Sequence, residues 1–274
     1  MKFLSSLFLI AILNSLVPVA QAAAPEITPA QVVSAYADQV LRSYEQSLAD
    51  ARALQRRIGE FLASPSEARL AAARQAWLAS RVSYGQTEVY RFYGGPIDFV
   101  DEKTGEEGPE VRVNAWPLNE AYLDYVKDSP QAGIIHDPKV ALTLASLKAS
   151  NMAKDEADVS TGYHAIEFLL WGQDFSAVGP GTRPASDYLP GEAVRDRRRQ
   201  VLTLVTELLV QDLTWLQTQW QPAGEHYRQT FVKLPPEEAL GKIVSGMATL
   251  AGFELMSERL AVALESGDQE DEQS

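Results

Sequence analysis

Two groups of residues have types and spacings that could do chemistry. The first is the run Gly162-Tyr163-His164-Ala165-Ile166-Glu167. An imidazole and a carboxylate at i and i+3 leave a helix on one face and can share a metal ion, a spacing that helical bundles use in Glu-x-x-His order for di-iron sites. The same two residues also serve as a buried hydrogen-bonded pair, and a bare His-x-x-Glu is a common coincidence. Gly162 would let a ligand or a second backbone come close. The second group is Trp77, Arg81, Tyr84, Glu88 and Arg91, which recur every three or four residues and so share one face of a single helix. Such a face is either a solvated ladder of ion pairs or a buried wall. The neighbouring stripe of Leu70, Ala73 and Ala76 is small and stops early, which favours burying Trp77 and Tyr84. Glu88 would then be a desolvated carboxylate held by arginines, a setting for cation binding or acid–base work. His136, just before Asp137-Pro138, and His226, after Glu225 in a polar segment, read as surface residues.

The composition narrows what these groups can be. The chain has 274 residues with 24 Lys+Arg, 37 Asp+Glu, 3 His and no Cys, for a net charge of −13. Without Cys there is no disulfide framework, thiolate metal site or cysteine nucleophile, so any metal must be held by nitrogen and oxygen. The negative charge speaks against non-specific binding of nucleic acid or of an anionic membrane surface, so no nucleic-acid partner is expected.

The elements that must position these groups read as helices. Thr28-Pro29 caps a helix of about nine turns that carries Val32, Tyr36, Val40, Tyr44, Leu48, Ala51, Leu54, Ile58 and Phe61 on one stripe. Ser64-Pro65-Ser66-Glu67 reads as a capping box opening a second helix to about Tyr93, packed antiparallel to the first. Residues 94–117 read as a long ordered loop. A short helix is expected over 119–127, another from the Asp137-Pro138 cap to about Met152, and the motif helix over 161–171, ended by Gly172. A Gly/Pro-rich loop over 173–191, a long helix over 192–219 and a last helix from Pro235-Pro236 to about Glu265 complete the chain. No strand pattern stands out, so the fold class is all-α with helical-bundle packing.

At the N-terminus Lys2, the apolar run from Phe3 to Val17 and Ala20-Gln21-Ala22 read as a signal peptide over residues 1–22, cleaved after Ala22. The run is short of the ~20 residues a membrane span needs. No Cys follows it for a lipid anchor, and no later stretch reads as apolar enough to span a bilayer. A periplasmic or extracellular location follows, with a helical domain over 23–265 and an acidic tail over 266–274 that should be disordered alone.

The wording Gly-Tyr-His-Ala-Ile-Glu-Phe-Leu-Leu-Trp-Gly-Gln-Asp over 162–174 resembles the signature of the imelysin family, named after an insulin-cleaving metalloproteinase and including iron-regulated proteins and relatives of periplasmic iron-uptake components. Residues 77–92 with Gly95-Pro96-Ile97-Asp98, the block Asn114-Ala115-Trp116-Pro117, residues 179–184 and residues 254–272 extend the resemblance over nearly all of the mature chain. It implies two related helical bundles with the motif facing the groove between them, and a metal on His164 and Glu167. Family members usually carry His where this chain has Gln273, and they continue for a substantial second half. Here the second bundle is expected to be incomplete, the sequence being either a piece of a longer protein or a shortened member.

Two functions from different classes follow. As a binding protein the chain would hold a metal ion or an iron complex, iron favoured and zinc also accommodated, through His164 and Glu167 with Glu88 and Asp98 as further oxygen ligands. Gly162, Arg81, Tyr84, Arg91 and Trp171 would support the site, and another cell-envelope iron-uptake component would be the partner. As a metallopeptidase it would use zinc on the same His164 and Glu167 to activate water, although His-Glu-x-x-His and a separate base are absent from the sequence. A haem or siderophore binder is the third alternative.

Overall fold

The computed structural model describes residues 27–175 and 179–266. The expected signal peptide and all of the acidic tail beyond Ser266 lie outside them. The regular structure of the described chain is almost all helix, with long irregular connections between the helices. Helix α1 (Pro29–Ala63) starts at a Thr28 capping box and buries one stripe from Val33 and Ala37 through Tyr44 and Leu54 to Phe61. The stripe differs from expectation at its start, where Val33 points inward and Val32 is exposed. A short connection leads to α2 (Glu67–Gly85), capped by Ser66 and not Ser64. Glu67 does not close a capping box and instead accepts a hydrogen bond from the Ala185 backbone N–H at 2.7 Å.

Helix α2 ends at Gly85, well before Tyr93. The Thr87 hydroxyl donates to the Tyr84 carbonyl at 2.7 Å, and the chain tightens into a 3₁₀ turn over Glu88–Tyr90. A hydroxyl that captures a helical carbonyl in this way competes with continuation of the helix. Residues 94–117 are ordered as expected, but contain a two-residue antiparallel pair, β1 (Val100–Asp101) with β2 (Glu106–Glu107), and α3 (Glu110–Val113). Helix α4 covers only Glu120–Leu123. Asp137-Pro138 does not cap a helix. The Asp137 carboxylate instead accepts the Lys139 N–H in a turn, and α5 (Leu144–Ser150) begins at a Thr143 capping box.

Helices α6 (Gly162–Trp171) and α7 (Ala193–Gln219) sit where the sequence placed them. Helix α1 packs along α2 and α7, and α6 packs between α2 and α7, so these four form the core. A short helix α8 (Tyr227–Phe231), not anticipated, adds Phe231 to a cluster with Tyr36 and Trp220. Helix α9 (Pro236–Thr249) runs into a π-helical stretch (Leu250–Ala261) and α10 (Val262–Ser266). Residues 236–261 are by length and composition apolar enough to cross a membrane, contrary to the expectation that no later stretch is. The apolar side chains are on the outside here: Phe253, Met256 and Leu260 are exposed, while Glu254 and Arg259 turn toward the bundle.

Candidate functional site

Helix α6 is buried on nearly every side. Tyr163, Ala165, Ile166, Phe168, Leu169 and Leu170 all enter the core. The helix starts with Gly162 at φ +84°, where an added Cβ would lie 2.6 Å from the Val113 carbonyl oxygen and 2.7 Å from that of Arg112. The close approach that Gly162 permits is therefore that of the α3 backbone. At the other end Arg74 donates to the Leu170 and Arg183 carbonyls at 2.8 Å, satisfying groups that the helix terminus leaves open.

What α6 turns outward is His164, Glu167 and Trp171. His164 is 13% exposed and Glu167 41%, and His164 Nδ1 lies 3.3 Å from a Glu167 carboxylate oxygen. Two donors each about 2.1 Å from one tetrahedral ion are about 3.4 Å apart, so the pair as it stands has the spacing of two ligands to a shared metal. Burial pushes the His164 pKa below its ordinary value, the hydrogen bond it can donate to the Glu167 carboxylate opposes this, and the nearby Arg81 charge adds to the lowering. A neutral imidazole keeps a lone pair for a metal. A stability consequence follows. Where the folded pKa is depressed, the unfolded chain binds more protons, so stability rises with pH up to the unfolded value near 6.5 and then levels off. Urea unfolding at pH 5.5 and 8 should show His164→Gln losing part of this dependence; an unchanged slope would contradict a depressed pKa.

His164 packs against Trp116 with ring centroids 4.7 Å apart and the ring planes inclined by 56°, and the two residues are the common wall of two hollows. One, about 330 Å³, is charged and lined by Arg81, Arg91, Glu110, Glu254, Glu258 and Arg259 among others. The second, about 290 Å³, is aromatic and holds Glu167 together with Trp77, Phe168 and Trp171. Trp77 is fixed by its indole N–H, which donates to the Tyr163 carbonyl at 2.9 Å, and meets Trp171 edge to face at 5.4 Å.

The five-residue face read as one helix is broken after Tyr84, because α2 stops at Gly85. Trp77, Arg81 and Tyr84 remain on α2, with the Arg81 guanidinium 5.1 Å from the Tyr163 ring and 5.5 Å from that of Tyr84. Glu88 reaches the interior from the 3₁₀ turn and is 4% exposed. Its carboxylate accepts from Arg259 at 2.9 Å and from Asn114 at 3.4 Å, and Asn114 in turn accepts from Arg81 at 2.6 Å. Arg91 pairs with Glu110 at 3.1 Å. Asp98 accepts the Phe92 N–H, is pushed up by burial, and lines neither hollow. Among the described residues no three His, Asp or Glu side chains gather as a metal-holding group, so Glu88 and Asp98 do not join the His164–Glu167 pair.

Sequence reasoning missed Trp116, Asn114 and Arg259 as parts of this region. Trp116 and Asn114 sit in an aperiodic loop, and Arg259 required knowing that the last helix turns its charges inward. It also misplaced His136, which is 14% exposed and lies 3.3 Å from the fully buried Asp124, a pairing that no local spacing signals.

The chain is 28% identical over 247 residues to iron-regulated protein A of Synechococcus elongatus, an alignment covering 86% of this chain and 55% of that protein. It thus spans about half the length of this curated relative. A crystal structure described as that of an iron-regulated protein A precursor from Parabacteroides distasonis superimposes with a TM-score of 0.61 at 20% identity, covering 92% of this chain and 66% of the other. That likeness shows the shared fold. The imelysin family model matches residues 40–274, and the chain belongs to the imelysin family.

Proposed function

We infer that this chain is an exported, iron-linked binding protein that takes a metal at His164 and Glu167. The observation that carries the reading is the largely buried His164 facing a half-exposed Glu167 at 3.3 Å on the wall of a two-sided groove. The names of the relatives, iron-regulated protein A and its precursor, support both the link to iron and export. Imidazole with carboxylate suits first-row metals, iron and zinc included. Glu88 is engaged by Arg259 and Asn114, which makes it a support of the groove wall and not a ligand.

Calorimetric titration of the purified protein with Fe²⁺ and Zn²⁺ tests the reading. His164→Ala and Glu167→Gln should each weaken binding by about 100-fold, since each removes one of two protein donors. Unchanged titrations in both variants would remove the assignment. The metallopeptidase alternative uses the same pair, and would show as chelator-sensitive cleavage of insulin chain that is lost in Glu167→Ala.

A further inference from the structure

The aromatic hollow beside Glu167 is built for something larger than an ion. Two protein donors leave at least two positions of a first-row metal to be filled from elsewhere, and no third His, Asp or Glu joins them among the described residues. Against the donors lies a cleft of about 290 Å³ walled by Trp77, Trp116, Phe168 and Trp171, close to the ~300 Å³ at which small-molecule sites begin. Its walls are held in place: Trp77 by its bond to the Tyr163 carbonyl, Trp116 by its ring contact with His164, and Trp171 by contact with Trp77 and the Arg74 guanidinium 5.5 Å from its ring. The charged residues lining the cleft are Glu120, Glu167 and Asp174, and no Lys or Arg is among the described lining residues. Burial pushes the Glu120 carboxyl up, so this carboxylate sits in a partly desolvated setting. A cleft of aromatic faces and carboxylates attracts flat, neutral or cationic π-systems and repels free carboxylates.

Resting on the metal-binding reading above, we propose that the metal reaches His164 and Glu167 as the complex of a planar aromatic chelator with uncharged donor atoms. The ring system lies in the tryptophan cleft, the chelator fills part of the coordination shell, and the protein adds its imidazole and carboxylate. A bare ion leaves the cleft unused, and a carboxylate-rich chelate meets three like charges.

The test uses the intact protein and one metal throughout, so that only the organic body changes. Zinc ion alone, the one-to-one zinc complex of 1,10-phenanthroline and the one-to-one zinc complex of citrate are titrated by calorimetry and tryptophan fluorescence. The phenanthroline complex should bind at least about tenfold more tightly than either of the others and quench the fluorescence. Trp116→Ala should abolish that advantage, read as the ratio of the two affinities measured in the same variant, and Trp116→Phe, which keeps an aromatic face, should retain most of it. If zinc ion or zinc citrate binds as tightly as the phenanthroline complex, the chelate proposal is overturned and the metal site stands. If His164→Ala leaves all three titrations unchanged, the metal site falls and the proposal with it.

Discussion

Asp124→Asn should lower the unfolding free energy by about 3–5 kcal/mol, the usual cost of removing one partner from a buried ion pair. The Asp124 carboxylate is fully buried and accepts from Arg183 and from the Arg198 Nε at 2.6 Å, from Arg198 again at 3.0 Å and from the Tyr125 N–H at 2.9 Å. Burial pushes its pKa up, but the hydrogen bonds of His136 and Arg198 and the charges of Arg183 and Arg198 outweigh this and hold it well below the ordinary carboxylate range. The amide would take the paired carboxylate from the nearly buried Arg198 and leave the nearly buried Arg183 only the more distant Asp187 at 3.5 Å. The damage should spread, because Arg183 also donates its backbone N–H to the last carbonyl of α6, while Arg198 belongs to α7. For a domain of this size the loss corresponds to a fall in Tm of roughly 10 °C. The pH profile has a definite sign. A depressed carboxylate contributes stability that is present above its unfolded pKa near 3.8 and disappears as pH falls below that toward the folded value. Urea denaturation of both proteins at pH 7 measures the first effect, and a difference under 1 kcal/mol would show that the cluster does not hold the fold.

Gly162→Ala should disrupt the site more than any other substitution of one methyl group. The backbone there has φ +84°, and the new Cβ would stand 2.6 Å from one carbonyl oxygen of α3 and 2.7 Å from another. The conformation costs an L-residue about 1–2 kcal/mol. Relieving contacts with backbone, which cannot rotate away, adds about 1–3 kcal/mol. We expect a total of about 2–5 kcal/mol, together with displacement of His164 from Trp116, since the α3 segment leads through Asn114 into that tryptophan. The readouts are the unfolding free energy and the affinity for Zn²⁺, the latter expected to fall at least about tenfold. A variant of wild-type stability with unchanged zinc affinity would show that α3 and α6 do not set the position of the pair.

These two residues mark how far the sequence could be read. Gly162 stood out locally because a glycine at the head of a helical motif implies a close approach, but whether to a ligand or to backbone depended on α3, which comes from a loop some fifty positions earlier. Asp124 gave no signal. Its partners Arg183 and Arg198 are distant in sequence, and each reads as an ordinary charged residue of a loop or a helix. Glu88 lies between these cases. Its burial beside arginine was legible from the stripe of Trp77, Arg81 and Tyr84, whereas its partner, Arg259, was not, because local spacing suggested Arg81 or Arg91 and could not show that α2 stops at Gly85.

By itself the sequence determined the all-α class, the extents of α1, α6 and α7, and the placing of His164 and Glu167 on one face. Helical periodicity, caps and glycine stops act over a few residues and are written in local order. Only the tertiary structure decided that His164 is buried against Trp116 with its pKa lowered, that Glu88 and Asp98 stay apart from it, that the last helix turns its charges inward, and that an aromatic cleft opens beside the donor pair. Those properties arise from desolvation and from contacts between segments far apart in the chain, which no local spacing encodes.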